Sequence, residues 1–170
     1  ILSLLLGFIL ISGLTTAQDF QTDKFETTEG PLTITFVKHA SLLFEFDNKT
    51  IHVDPVKRMG DYSKLPKADI ILITHHHGDH FDLNAIDMLK KEGTKIIATQ
   101  QCVTISEELE NVTVMSDNES KTLMNMNIRS IPAYNIKHKR DNGEPYHPKG
   151  KGNGYVVTFG DKNIYIAGDT

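Results

Sequence analysis

Short apolar runs separated by turn residues dominate the first half of the chain. Three β-branched and aromatic runs predict an antiparallel meander, and they lie at 33–37, 42–46 and 50–53. Asp47 and Asn48 form the expected turn between the last two runs. The next run, at 68–74, is continuous rather than alternating, which indicates a strand covered on both faces.

A helix is predicted after this strand. Asp82 is its expected N-cap and Gly93 its expected stop, and apolar residues recur at helical spacing from Leu83 to Leu89. The elements predicted next are a strand at 95–99, a helix at 100–109, and strands near 112–115, 121–124 and 127–133.

The region after these strands changes character. Residues 134–153 show no hydrophobic period and form a predicted irregular loop, a type of segment that often carries function. A hairpin that turns at Gly160 and Asp161 is expected to follow. Strands with interspersed helices indicate an α+β layered sandwich.

Composition excludes several classes of protein. The 170 residues fit one domain, and 39% hydrophobic with 24% charged residues describes a globular chain rather than a disordered or collagen-like one. A net charge of −4 gives no broad cationic face for nucleic acid, so no nucleic-acid partner is expected. Cys102 is the one cysteine, which excludes an intrachain disulfide and a cysteine-based zinc cluster.

The N-terminal segment predicts export. Residues 1–14 are uncharged and almost wholly apolar, and small residues precede a cleavage position before Gln18. We therefore expect residues 1–17 to be a signal peptide whose start is missing, with a secreted or periplasmic location in a bacterial envelope. A membrane anchor or a buried helix is the alternative, although the run is short for a span. A polar leader at 18–31 precedes the expected domain at 32–170.

A histidine cluster follows the buried strand and carries the strongest chemical signal. In THHHGDH, His75 and His77 are two residues apart and can reach one metal ion, while Gly78 allows a bend that directs Asp79 and His80 to a neighbouring ion. A solvated histidine-rich loop is the alternative interpretation.

This cluster resembles the H-x-H-x-D-H motif of the metallo-β-lactamase superfamily. VKHASLLFEF, IHVDP, IPAY and NIYIAGDT fit the same superfamily, in the branch of L-ascorbate-6-phosphate lactonase and N-acyl-phosphatidylethanolamine phospholipase D, and the resemblance covers 32–170. It implies a four-layer αβ/βα sandwich, truncated here after its first half, and hydrolysis at a two-metal centre.

The resemblance also implies roles for individual residues. His75 and His77 match ligands of the first metal, Asp79 and His80 match ligands of the second, and Asp169 matches the carboxylate that bridges both. Asp79 is also the expected catalytic residue, which orients the attacking hydroxide.

One position departs from the family pattern. Asn135 lies where a further histidine ligand of the first metal is expected, and an amide is a poor replacement for imidazole on zinc. His147 is our candidate for the missing ligand, and His138 is the second choice. The second metal also lacks a histidine that the family supplies beyond the bridging aspartate, so we expect low activity from this chain as it stands.

Four further residues near these motifs have more open assignments. His39 is expected either to line the pocket or to pack between strands, and Asp54 to support a turn or a ligand rather than bind metal. His76 is expected to face outward, and His52 to lie on a strand surface.

The expected activity is metal-dependent hydrolysis of a small ester, lactone or phosphodiester by a hydroxide activated at two divalent ions. Zn²⁺ is the first choice of metal, and the N/O ligand set also admits Mn²⁺ or Fe²⁺. Basic residues in the 134–153 loop suit an anionic small-molecule substrate if the loop folds over the metals, and a solvated charged loop is the alternative interpretation. A non-catalytic periplasmic metal-binding protein and a nuclease of the same superfamily are the alternatives. The oligomeric state stays open.

Overall fold

Eleven strands and two α-helices make up the part of the chain that the structure describes, residues 20–170 of a computed structural model. The strands are β1 (Gln21–Thr27), β2 (Gly30–Lys38), β3 (Ser41–Phe46), β4 (Lys49–Val53), β5 (Ile70–Leu72), β6 (Lys95–Ala98), β7 (Val112–Val114), β8 (Ser120–Leu123), β9 (Met126–Ala133), β10 (Gly152–Phe159) and β11 (Lys162–Ile166). The helices are α1 (Leu83–Leu89) and α2 (Gln100–Ile105). Two short 3-10 turns, Lys57–Met59 and Tyr62–Lys64, follow β4.

The strands form two sheets. The first has seven strands in sequence order, β1 to β7. Its pairs are antiparallel from β1 to β4 and parallel from β4 to β7. The second has four antiparallel strands in the order β11-β10-β9-β8.

The main core lies between the two sheets. Phe159 of β10 packs against Phe44 and Phe46 of β3, with ring centroids 5.4 and 5.3 Å apart. Tyr155 and Val157 alternate with more exposed neighbours along β10, and both are fully buried. Each large side chain buried in this way contributes about 2 kcal/mol, so this core holds the two sheets together.

A second core covers the opposite face of the seven-stranded sheet. Ile86 and Leu89 of α1 and Cys102 of α2 pack with Ile71 of β5 and with Ile73 just beyond its end. The strand is therefore covered on both faces, as its continuous apolar run predicts. The described residues thus supply one helix layer and two sheet layers.

Several local predictions are confirmed. Asp47 and Asn48 turn between β3 and β4 with φ of 45° and 55°, and Gly160 turns between β10 and β11. The Asp82 carboxylate caps α1 by accepting a hydrogen bond from the backbone N–H of Asn84. The helix ends at Leu89, before the expected stop at Gly93, because Lys90 already has an extended ψ of 143°. The second helix likewise ends at Ile105 rather than at 109.

Two features differ from the sequence predictions. The polar leader contains β1, which pairs with β2 along its whole length. Its residues are almost all exposed, so it has no apolar alternation from which a strand could be predicted. His52, expected on a strand surface, is fully buried, and its Nε2 lies 2.9 Å from the carbonyl oxygen of Pro66.

The predicted signal peptide, residues 1–17, lies outside the described residues. Within 20–170, no helix has both the length and the apolar character needed to cross a membrane.

The buried His52 predicts a pH dependence of stability. Burial lowers the pKa of His52 to about 4, whereas the pKa of the same imidazole in the unfolded chain is near 6.5. Because the unfolded state binds the proton more readily, this group removes stability as the pH falls from about 6.5 towards 4. We expect the His52→Gln variant to lose about 2 kcal/mol less than the wild type between pH 7.5 and 4.5.

Urea unfolding of the gene product with EDTA present measures this difference, and His138→Gln, on an exposed histidine, is the control. Equal losses for the wild type and His52→Gln would show that His52 does not titrate differently in the folded state.

Candidate metal centre

The histidine cluster begins where the buried strand β5 ends. Ile73 and Thr74 follow the strand and are fully buried, and the turn at 75–80 then brings polar side chains to the edge of the sheet. The turn is closed by hydrogen bonds from the backbone N–H groups of His80 and Phe81 to the carbonyl oxygen of His77. The local fold therefore directs several ligand-type side chains to one point.

Three histidines form the first group. The Nδ1 atom of His77 lies 3.1 Å from Nε2 of His75 and 3.1 Å from Nε2 of His147. The structure thus brings His147 to the position for which it was the first candidate. His138 lies in an exposed stretch of the same loop and in none of the ligand groups found among residues 20–170.

A second group lies beside the first. It contains Asp79 and His80, as expected, together with His39 from the turn between β2 and β3. The Oδ2 atom of Asp79 is 3.3 Å from Nε2 of His39 and 4.0 Å from Nε2 of His80. Sequence reasoning left the role of His39 open because nothing in a lone histidine at a hairpin turn indicates that the turn folds over the 75–80 segment.

Asp169 lies between the two groups. Its Oδ2 is 3.3 Å from Nε2 of His147 and 4.0 Å from Nε2 of His75, while its Oδ1 is 3.2 Å from Nε2 of His80. The preceding Gly168 has φ of 65°, and a Cβ there would lie 2.9 Å from the carbonyl oxygen of Asn153. Only glycine allows this close approach, which brings the carboxylate to the histidines.

Hydrogen bonds between the sheets fix this arrangement. The hydroxyl of Tyr155 donates to the carbonyl oxygen of Ile73 at 2.9 Å, and the backbone N–H of Asn153 donates to the carbonyl oxygen of Thr74 at 2.8 Å. Both contacts lie at the residues that precede the histidine turn. They therefore hold β10 against the end of β5. The segments that carry His147, before β10, and Asp169, after β11, are held there with it.

Asp54 orients two of the histidines from beneath. It is fully buried and accepts hydrogen bonds from the Thr74 backbone N–H at 2.7 Å, the Thr74 hydroxyl at 2.6 Å and Nδ1 of His80 at 2.8 Å. Because the Thr74 hydroxyl donates to Asp54, its oxygen is free to accept from Nδ1 of His75, 3.1 Å away. In their neutral form both rings then carry their proton on Nδ1 and present an unprotonated Nε2 to the centre.

The surroundings also set the charge of these rings. Burial first, and then the neighbouring His80, His77 and His147, lower the pKa of His75 to about 3. Burial likewise lowers the pKa of His147, although the charge of Asp169 opposes this shift. His75 and His147 are therefore neutral at pH 7, which is the form of imidazole that binds metals.

His80 differs from these two residues. Burial alone would lower its pKa, but the hydrogen bond to Asp54 and the charges of Asp54, Asp169 and Asp79 outweigh burial and raise it. Partial burial raises the pKa of Asp79. The hydrogen bond from its own backbone N–H and the nearby His80 and His39 lower it by more, so the pKa of Asp79 lies below its usual value. Asp79 is thus a carboxylate at pH 7.

These residues fit divalent cations. The Nε2 atom of His80 is buried and has no hydrogen-bond partner, so a cation would satisfy it. A third group, made of His75, His80 and Asp169, shares residues with the first two. In each of the three groups, one ligand atom per residue lies within 4.8 Å of the others. Around a tetrahedral zinc, neighbouring ligand atoms are ~3.4 Å apart, close to the shorter separations seen here.

The remaining candidates lie at the periphery. His76 belongs to none of the ligand groups within residues 20–170, and it is half-buried rather than outward-facing because it lines a cleft with Tyr146 and Lys151. Arg140 stacks on the Tyr146 ring with its guanidinium 5.0 Å from the ring centroid. Cys102 is buried under the sheet, in agreement with a packing role.

Known proteins are similar to this chain in sequence. The chain is 30% identical over 138 residues to a UPF0173 metal-dependent hydrolase from Nanoarchaeum equitans, and 32% over 143 residues to one from Thermococcus kodakarensis. Both matches cover 81% of this chain, and the chain spans 60% and 61% of the lengths of these relatives.

Solved structures of other proteins show the same fold. A protein from Parabacteroides distasonis, described as a metal-dependent hydrolase, superposes with a TM-score of 0.82 and 45% identity over 89% of this chain and 67% of its own. A metallo hydrolase from Ignicoccus hospitalis shares the fold, with a TM-score of 0.63 and 23% identity over 82% of this chain and 61% of its own.

The family model of the beta-lactamase superfamily domain matches residues 33–170, a range that contains both sheets except β1 and the first residues of β2, as well as every residue of the two ligand groups. The resemblance to the metallo-β-lactamase superfamily is therefore confirmed, and with it the sandwich fold. The chain belongs to the beta-lactamase superfamily domain family.

Proposed function

We propose that this chain provides the metal centre of a metal-dependent hydrolase that uses two divalent cations and acts on a small ester, lactone or phosphodiester. The position of Asp169 is the observation that carries the proposal. One of its carboxylate oxygens faces His75 and His147, and the other faces His80. A carboxylate shared in this way suits two neighbouring ions rather than one. The UPF0173 relatives named as metal-dependent hydrolases support the same reaction class.

The chain offers a ligand set for each ion. His75, His77 and His147 would hold the first, and His39, Asp79 and His80 the second, with Asp169 between them. All donors are nitrogen or oxygen, which suits Zn²⁺ and also admits Mn²⁺ or Fe²⁺. Two bound ions would lower the pKa of a water molecule and polarise the substrate's carbonyl or phosphoryl oxygen.

Residues around the centre would complete the reaction. Asp79 is a carboxylate with a 39% exposed side chain, so it can accept a hydrogen bond from the attacking water and orient it. Lys151 and Tyr146 line the cleft next to His77 and His147. The ammonium of Lys151 lies 3.1 Å from the side-chain oxygen of Gln101 and is held at the cleft, where it suits a substrate with a phosphate or carboxylate group.

The first test combines metal content with turnover. We expect the gene product, reconstituted separately with Zn²⁺, Mn²⁺ or Fe²⁺, to hold two ions per chain and to hydrolyse members of a panel of lactones, aryl esters and bis-p-nitrophenyl phosphate. His147→Ala is expected to lose the first ion and at least ~100-fold in kcat/KM, because a first-group ligand is removed.

His138→Ala is the matched control, since that histidine lies in the same loop and outside the ligand groups. Two tightly bound ions without turnover of any substrate would favour a non-catalytic metal-binding protein. Full metal content in His147→Ala would contradict the assigned ligand set.

His39 gives a separate test of the second group. Removing its imidazole with His39→Ala leaves Asp79 and His80 as the remaining ligands that the second ion does not share, so we expect its affinity to fall by at least ~10-fold while the first ion stays bound. Competition titration with a chromophoric chelator resolves the two affinities. An unchanged second affinity would remove His39 from the ligand set.

Asp54 is expected to act on metal binding without touching the ions. In Asp54→Asn the side chain has one accepting oxygen instead of two, and its N–H₂ group must face one of the donors on Thr74 or His80. At least one hydrogen bond is therefore lost, and the His80 ring is no longer fixed. The expected result is a ~10–100-fold lower affinity for the second ion. Chelator competition against the control Asp87→Asn, on an exposed carboxylate, measures it, and equal affinities in both variants would contradict this role.

A further inference from the structure

We infer that Asn135 is a positioning residue that fixes the proton and the orientation of the His147 ring, so that this loop histidine can complete the first ligand group. The inference rests on the proposed function, because it assigns His147 to a metal. Asn135 lies just beyond the end of β9, whereas His147 lies at the far end of the irregular loop. A histidine on a long loop needs such a support to hold one geometry.

Three hydrogen bonds join these two residues. The Asn135 backbone N–H donates to the His147 carbonyl oxygen at 2.9 Å, and the His147 backbone N–H donates to Oδ1 of Asn135 at 2.9 Å. The ring atom Nδ1 of His147 also lies 2.9 Å from the same Oδ1. Together they close the base of the loop 136–146.

These contacts determine where the ring proton lies. A backbone N–H can only donate, so the side-chain atom of Asn135 that receives it must be the amide oxygen. That oxygen can only accept, and Nδ1 of His147 must therefore carry the proton and donate it. The ring is left with an unprotonated Nε2, which lies 3.1 Å from Nδ1 of His77 and 3.3 Å from Oδ2 of Asp169.

The backbone reinforces this orientation. Pro148 follows His147 and restricts it to extended conformations. The His147 side chain is only 17% exposed, so little water competes for its Nδ1 proton. The amide thus does for His147 what Thr74 and Asp54 do for His75 and His80, without adding a charge to the first group.

Substitutions at position 135 separate this role from a general structural one. Asn135→Asp keeps an acceptor at the same place, while Asn135→Leu has a similar size and no acceptor. Asn142→Leu is the matched control, because Asn142 is an amide in the same loop whose oxygen accepts from the backbone N–H of Glu144 rather than from His147.

The first readout is the tautomer of His147 in the metal-free gene product, measured by long-range ¹H–¹⁵N NMR. We expect the proton on Nδ1 in the wild type, Asn135→Asp and Asn142→Leu, and a shift towards Nε2 in Asn135→Leu. A wild-type ring protonated on Nε2 overturns the inference, even if Asn135→Leu fails to fold.

The second readout is Zn²⁺ affinity by chelator competition. We expect a ~10–100-fold loss in Asn135→Leu and recovery to near the wild-type value in Asn135→Asp. Equal losses in the Asp and Leu variants overturn the inference, because they indicate a structural role alone. Failure of the proposed function would appear differently, as a wild-type protein with the Nδ1 tautomer that binds no metal or turns over no substrate.

Discussion

The buried carboxylate of Asp54 is the constraint on which both ligand groups depend. A carboxylate in an apolar interior is stable only when its oxygens are hydrogen-bonded, and Asp54 meets this condition through Thr74 and His80. It does so from a left-handed backbone conformation with φ of 42°, which costs a non-glycine residue about 1 kcal/mol or more. The three hydrogen bonds offset that cost, and they also fix the His80 ring directly and the His75 ring through the Thr74 hydroxyl. Without this acceptor, either ring could turn and present a proton to the centre instead of a lone pair.

The same logic extends outward from the first sheet to the second. Three of the five candidate ligand histidines donate a hydrogen bond from the ring nitrogen that faces away from the centre, and each uses a different acceptor: a carboxylate for His80, a hydroxyl for His75 and an amide for His147. The acceptors lie on β4, β5 and β9 or just beyond their ends, so they are carried by the rigid part of the fold. The ligands themselves lie on turns and loops. A rigid frame that orients the side chains of these turns and loops explains how an irregular loop can contribute to a defined site.

The sequence was most informative where a motif is local. The turn at 75–80 follows a continuous apolar run, so its place at a strand end was predictable, and Asp169 was predictable in the same way from the strand before it. The choice between His147 and His138 had no such support, because both lie in a loop without periodicity and only the tertiary contacts of His147 to Asn135, His77 and Asp169 distinguish them. The position of His39 in the site depended on how the hairpin between β2 and β3 folds over the 75–80 turn. The strand β1 had no apolar pattern at all. Patterns report which face of an element is buried, whereas these features depend on contacts between distant segments.

Metal binding at the proposed ligand groups would also be coupled to the association of the two sheets. Atoms that accept hydrogen bonds face one another across the centre, and without a proton or a cation between them such lone pairs repel. His147 and Asp169 flank the second sheet while the other ligands belong to the first, so when the rings are neutral this repulsion acts across the interface between the sheets. A cation converts it into attraction, and any ligand that binds only the folded state stabilises that state. The hydrogen bonds of Tyr155 and Asn153 to the end of β5 hold the sheets in place before a cation arrives. They reduce the ordering that metal binding must supply, and the apolar core around Phe159 does the same at the other end of β10.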